Sequence, residues 1–117
     1  VDSIVVVITM APYGREDSFN GLYLPVVTVV EQIETTVLLI EDGVFSALKE
    51  QRSKDIGYPS TSELVSSILT LGGRVYADAK SCKVRGVEEG QLVEGVELVS
   101  EERAAQILIE AKGTIVV

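Results

Sequence analysis

The sequence predicts an α/β fold, a three-layer α/β/α sandwich around a mostly parallel sheet of about five strands. Two observations carry that prediction. The strand candidates are short runs of β-branched and aliphatic residues that are continuous rather than alternating, as in parallel strands buried on both faces. Between them lie segments whose apolar residues recur at helical spacing, each opened or closed by turn and cap residues.

Ile4-Val5-Val6-Val7-Ile8 is the first strand, broken by Ala11-Pro12-Tyr13-Gly14. Phe19, Leu22, Tyr23, Val26, Val27 and Val30 then mark a helix over residues 16–31, with Glu16 and Asp17 suited to the positive end of its dipole. Pro25 removes a helical donor from that helix and is expected to kink or split it. Thr36 to Ile40 reads as the second strand, and Asp42-Gly43 turns into a short helix carrying Val44, Phe45, Ala47 and Leu48. Residues 51–58 read as a loop, with Tyr58 before Pro59 a turn residue. Ser60 and Glu63 form a capping box ahead of the stripe Leu64, Val65, Ile68 and Leu69, and Gly72-Gly73 ends that helix. Val75 to Ala77 is a short third strand, Asp78 to Gly86 a polar loop, and Glu88 to Val93 a small helical segment. Val96 to Val99 is the fourth strand. Ser100 caps the last helix, whose first turn holds Glu101 and Glu102 and whose end is Lys112-Gly113, and Thr114 to Val117 closes the sheet.

A chain of 117 residues is expected to form one domain, residues 1–117, without internal repeats or linkers. No apolar stretch approaches the ~20 residues of a membrane span, and no charged segment followed by an apolar one opens the chain, so a cytoplasmic protein off the membrane is expected. The net charge of −8 speaks against direct nucleic-acid binding, which runs on an excess of Lys and Arg. A single cysteine, Cys82, rules out an internal disulfide and fits a reducing compartment. The absence of histidine excludes a Ser-His-Asp or Cys-His catalytic set and a His-ligated metal within one chain. Residues 11–17 lack the glycine patterns of a P-loop or a dinucleotide site, so no cofactor and no metal is expected. A receiver-like phosphoacceptor fold needs clustered acids at strand ends, but the first strand ends in Thr9-Met10.

Ligands of open α/β sheets gather beyond the carboxyl ends of the strands, which points to the loops at residues 9–17, 41–43 and 78–86. The third holds the only thiol. Lys80, Lys83 and Arg85 lie within three residues of Cys82 in an otherwise acidic chain. Cations beside a cysteine stabilise the thiolate, the form that attacks sulfane sulfur or carries a persulfide. These polar neighbours argue against deep burial of Cys82; the alternative is a small buried apolar residue. Arg85-Gly86 reads as an anion contact and a positive-φ turn, or as a solvated residue and a turn. Tyr13, Gly14, Asp17 and Asn20 are placed at the same crevice, with a tight turn, helix-dipole service and a polar surface position as their plainer roles.

Ile8-Thr9-Met10-Ala11-Pro12-Tyr13-Gly14 with the helix from Phe19, Glu41-Asp42-Gly43-Val44-Phe45 after the second strand, and the stretch from Val75 to Arg85-Gly86-Val87 resemble the DsrE/DsrF/TusD-like family across essentially the whole chain. The resemblance implies a five-stranded parallel sandwich, flavodoxin-like in general layout, that assembles as a homo-oligomer, a trimer or hexamer, or with related subunits. It also implies relay of sulfur as a cysteine persulfide between donor and acceptor proteins. The relay cysteine of the family stands eight residues before the Gly of the Arg-Gly turn, which falls on Asp78; a second cysteine position falls on Ser81; Cys82 is one residue further. Two roles follow. One is a sulfur-carrier subunit with Cys82 as persulfide acceptor and Lys80, Ser81, Lys83, Arg85 and Gly86 shaping its pocket. The other is a non-catalytic subunit or small-ligand binding module of the same fold.

Overall fold

The computed structural model describes residues 3–11, 17–49 and 61–117, with side chains described from residue 21 onward in the first helix. The expected loop at 51–58, Tyr58-Pro59 and the Ser60 half of the capping box lie outside the described residues. Five strands, β1 (Ser3–Ile8), β2 (Glu34–Leu39), β3 (Arg74–Asp78), β4 (Glu97–Val99) and β5 (Gly113–Val116), form one sheet in the order β4-β3-β2-β1-β5. Every pairing in it is parallel. The helices are α1 (Asp17–Val30), α2 (Thr61–Thr70), α3 (Ala79–Val84) and α4 (Glu101–Glu110).

The order of the strands dictates the layers. A right-handed crossover that advances in one direction along a sheet leaves its helix on one face, and reversing direction moves the helix to the other. From β1 to β2 to β3 the chain steps one way, so α1 and α2 share a face. From β4 it returns across the whole sheet to β5, so α4 covers the opposite face.

Register then sorts the side chains. Val6 pairs with Val37, and Val37 with Val75, a row that faces α1 and α2 together with Leu22, Val65 and Ile68 in the larger core. One residue on, Val7, Leu38 and Tyr76 form a row that faces α4 and meets Ala104 and Ile107. Both faces of the central strands are therefore apolar, which is why their sequences do not alternate. A buried polar pair between α1 and β2 is satisfied: the Thr28 and Thr35 hydroxyls lie 2.7 Å apart, and Thr28 Oγ1 also donates to Pro25 O.

Three expectations are corrected. Pro25 does not split α1, which runs from Asp17–Val30 with the proline buried inside it. The short helix after β2 is a 3-10 segment, Glu41–Ala47, and the segment after Val87 narrows to a 3-10 turn, Glu89–Gln91, held by a reciprocal cap between Glu88 and Gln91. Residues 78–86 are not a loop: Asp78 ends β3 and caps α3.

Candidate functional site

The carboxyl ends of β2 and β3 carry two short elements that lock onto each other. After β2 the chain turns at once into the 3-10 segment, with Glu41 at φ +51°, a conformation uncommon for a non-glycine residue. Two residues later Gly43 lies directly against β1. A Cβ at that position would stand 1.9 Å from Ile8 O, so only glycine fits. That is the structural content of the Glu41-Asp42-Gly43 triplet.

After β3, Asp78 Oδ2 accepts hydrogen bonds from the Ser81 backbone N–H at 3.0 Å and the Ser81 hydroxyl at 2.6 Å. The Ser81 hydroxyl in turn accepts from the Glu41 N–H at 2.9 Å. Arg85 completes the clasp: its Nε donates to Asp42 Oδ1 at 2.8 Å and its Nη1 to Ser81 O at 3.3 Å. Gly86, at φ +68°, and Val87 end α3 by bonding back to Lys83 O and Cys82 O. This is the paired closure in which a left-handed residue follows the helix, with buried Val87 as its apolar partner. The Arg-Gly-Val run thus supplies a clasp, a turn and an anchor.

On the α4 side of the sheet these elements border an open cleft of about 460 Å³, lined by the polar Asp78, Ser81, Glu41 and Arg85 together with the apolar Leu38, Ile40, Ala104 and Leu108. Asp78 and Ser81, the two positions where the family resemblance places cysteine, are both in that lining and hydrogen-bonded to each other.

Cys82 points the other way. It is 2% exposed and packs in the larger core with Ile8, Leu39 and Val44. Burial pushes its thiol above the ordinary range, the negative charge of Asp78 pushes it further, and Arg85 pulls it down by less. The expectation of a shallow, cation-activated thiol is corrected on both counts. A six-residue helix puts its charged residues outward and Cys82 inward. Lys83 is exposed, and Lys80 reaches Glu101 at 3.5 Å with both side chains in solvent.

Of the other sequence candidates, Arg85, Ser81 and Gly86 belong to the clasp. Tyr13 and Gly14 lie outside the described residues, while Asp17 and Asn20 stand in the first turn of α1. Sequence reasoning marked the loop at 41–43 but did not place Glu41 and Asp42 in the site. The run of two acids before a glycine at a strand end was the available signal. Among the described residues no group of three or more His, Cys, Asp or Glu side chains can hold a metal ion.

Residues 2–117 match the DsrE/DsrF-like family. The chain belongs to that family. Among its relatives, an uncharacterised protein of Methanocaldococcus jannaschii is 37% identical over 95 residues, 81% of this chain and 82% of that protein. One of Methanopyrus kandleri is 38% identical over 100 residues, 86% and 81% of the two chains. The intracellular sulfur oxidation protein DsrF of Allochromatium vinosum is 31% identical over 88 residues, 72% of this chain and 62% of DsrF. The crystal structure of the YchN protein from E. coli shares the fold with a TM-score of 0.91 at 23% identity, covering 100% of both chains. In this DsrE/DsrF-like chain the α/β sandwich and the family resemblance read from the sequence both hold. Among the described residues no helix is long and apolar enough to cross a membrane.

Proposed function

We propose that this chain is a small cytoplasmic subunit of a sulfur-relay system that binds at the β2–β3 cleft and carries no persulfide of its own. Likeness to the sulfur oxidation protein DsrF supports a place in sulfur chemistry. The observation that carries the non-carrier role is the pair at the cleft: a carboxylate at position 78 and a hydroxyl at 81, neither able to hold sulfane sulfur. The one thiol faces the core, where burial raises its pKa and disfavours the thiolate. Such a subunit works within an assembly, as a homo-oligomer (trimer or hexamer) or beside related subunits that bear the thiol and meet the sulfur donor and acceptor. Exposed Tyr23, Val27 and Val30, one helical turn apart along the outer face of α1, support assembly.

The carrier reading survives in one form, a persulfide on Cys82, and a single experiment separates the two. The folded protein is offered a persulfide donor and weighed intact, with Cys82→Ala as the blank, since alanine puts no hydroxyl into the core. No added sulfur is expected. One added sulfur, absent from the alanine variant, overturns the proposal and makes Cys82 the carrier.

A further inference from the structure

The two edges of the sheet differ. β4 is three residues long and opens on exposed Glu97, features that blunt an edge against pairing. β5 has neither defence. Gly113–Val116 holds no charged residue, no proline and no bulge, in a chain whose net charge is −8. Its hydrogen bonds show which backbone groups stay free. Val117 donates its N–H to Val7 O and accepts from Thr9 N–H, so both of its groups point at β1. The direction of these groups alternates along a strand. Those of Ile115 therefore also point at β1, while those of Thr114 and Val116 point off the sheet. The side chains follow the register. Thr114 and Val116 pair with Val5 and Val7 and stand on the α4 face, whereas Ile115 pairs with Val6 and stands on the α1 face. Ile115 is 38% and Val116 68% exposed.

This pattern is complementary to itself. When two β5 edges meet antiparallel about a two-fold axis at Ile115, Thr114 of each copy stands opposite Val116 of the other, and each such pair exchanges both N–H···O bonds. Ile115 then meets Ile115 of the other copy as a non-hydrogen-bonded pair, the closer kind, and its half-exposed side chain gains an apolar neighbour. A register shifted by two residues keeps only one hydrogen-bonded pair within the strand. We infer that β5 pairs antiparallel with β5 of a second copy of this chain about a two-fold axis at Ile115, joining two five-stranded sheets into one. An uncharged strand is also where copies of an acidic chain approach with least repulsion. The contact is small. A four-residue strand from each copy falls well short of the ~1,200 Å² of a stable complex, so it adds to other contacts and does not hold a pair alone in dilute solution. Neither the sulfur-relay reading nor the apolar face of α1 enters this inference.

The test places one cysteine at a time on the β5 edge of the full chain, in a Cys82→Ala background so that it is the only thiol. Diamide oxidises the thiols, and disulfide-linked dimer is followed by intact mass. In the inferred register the two Ile115 Cα atoms lie about 4.5 Å apart, within disulfide reach. Thr114 and Val116 each stand beyond about 7 Å from their own counterparts, out of reach. Ile115→Cys is therefore expected to dimerise at least about tenfold faster than Val116→Cys, although Val116 is the more exposed. An equimolar mixture of Thr114→Cys and Val116→Cys is expected to give the mixed dimer faster than either variant alone dimerises. Val116→Cys dimerising as fast as Ile115→Cys, as random collision dictates, or no dimer from any position, overturns the inference. The parent chain supplies a second measurement that no substitution can disturb. Its Thr114 and Val116 amides are expected to exchange with deuterium more slowly in concentrated than in dilute solution, with the Ile115 amide, already bonded to β1, as the reference. Rates for Thr114 and Val116 that do not change with concentration overturn the inference as well.

Discussion

Asp78 is both a structural cap and the polar centre of the cleft, and substitutions separate those roles. Asp78→Ala removes the acceptor for Ser81 N–H and Oγ and is expected to cost about 0.5–2 kcal/mol of stability in chemical denaturation, whereas Asp78→Asn stays close to the parent. Asp78→Cys restores a thiol where the family resemblance places one. There it borders an open cleft rather than the core, so it is expected to alkylate faster than Cys82 in the same molecule, with peptide mass mapping to tell the two apart. Cys82 itself makes a pH prediction. Its folded thiol is raised, so the neutral form is favoured by folding. Its contribution to stability is fully present below the unfolded thiol value of about 8.5 and is lost as pH rises through the higher folded value. Denaturation midpoints are expected to fall in that alkaline window, and the fall is expected to be smaller in Cys82→Ala; an identical pH profile for the two proteins would contradict the burial argument.

At the scale of elements, the site depends on two glycines for different reasons, and alanine substitutions should rank them. Gly86 has open space for a Cβ but sits at φ +68°, so Gly86→Ala carries mainly the left-handed cost of about 1–2 kcal/mol. Gly43→Ala drives a Cβ into Ile8 O, a backbone atom that cannot rotate away, and is expected to cost about 3 kcal/mol or more and to displace the 3-10 segment from β1. Thermal melts of the two variants check the order. The same elements show what sequence patterns can and cannot reveal. β1 is legible because a doubly buried parallel strand must be apolar throughout, and α4 because Ser100 accepts from Arg103 N–H as a cap should. Helix α3 is not legible. At six residues it is too short to repeat an apolar face, and its charged side chains resemble those of a loop. Misreading it also misplaced Cys82, because the direction of that side chain is set by helical rotation from the Asp78 cap, not by the charge of its sequence neighbours. Pro25 does not interrupt the helix that the spacing placed over residues 16–31: Leu22 packs in the core before it and Thr28 Oγ1 donates to Pro25 O after it.

At the scale of the molecule, a small sheet covered on one face by α4 alone leaves apolar surface at several places, and a stable contact between copies needs one that is contiguous. Ile115 and Val116 at the β5 edge and Leu108 and Ile109 on α4 are exposed as sequence neighbours, which point in different directions on a strand or a helix. Tyr23, Val27 and Val30 instead recur at intervals of four and three residues and so share one face of α1, at 46%, 54% and 61% exposure. Scattered surface hydrophobes are ordinary, but an apolar stripe along a helix is the pattern of a buried face that lacks its cover. The overall charge of −8 opposes self-association at long range, so a contact between copies needs an apolar centre of this kind. Val27 is the middle of the stripe and, being half exposed, contributes little to the core. Val27→Glu is therefore expected to leave the unfolding free energy of the isolated chain within about 0.5 kcal/mol of its parent while lowering the mass measured by light scattering to that of a monomer. Raised salt screens the repulsion between acidic copies and should strengthen assembly of the parent without rescuing the variant. A parent that is already monomeric would contradict assembly, and a variant that assembles as the parent does would show that the α1 stripe is not the contact.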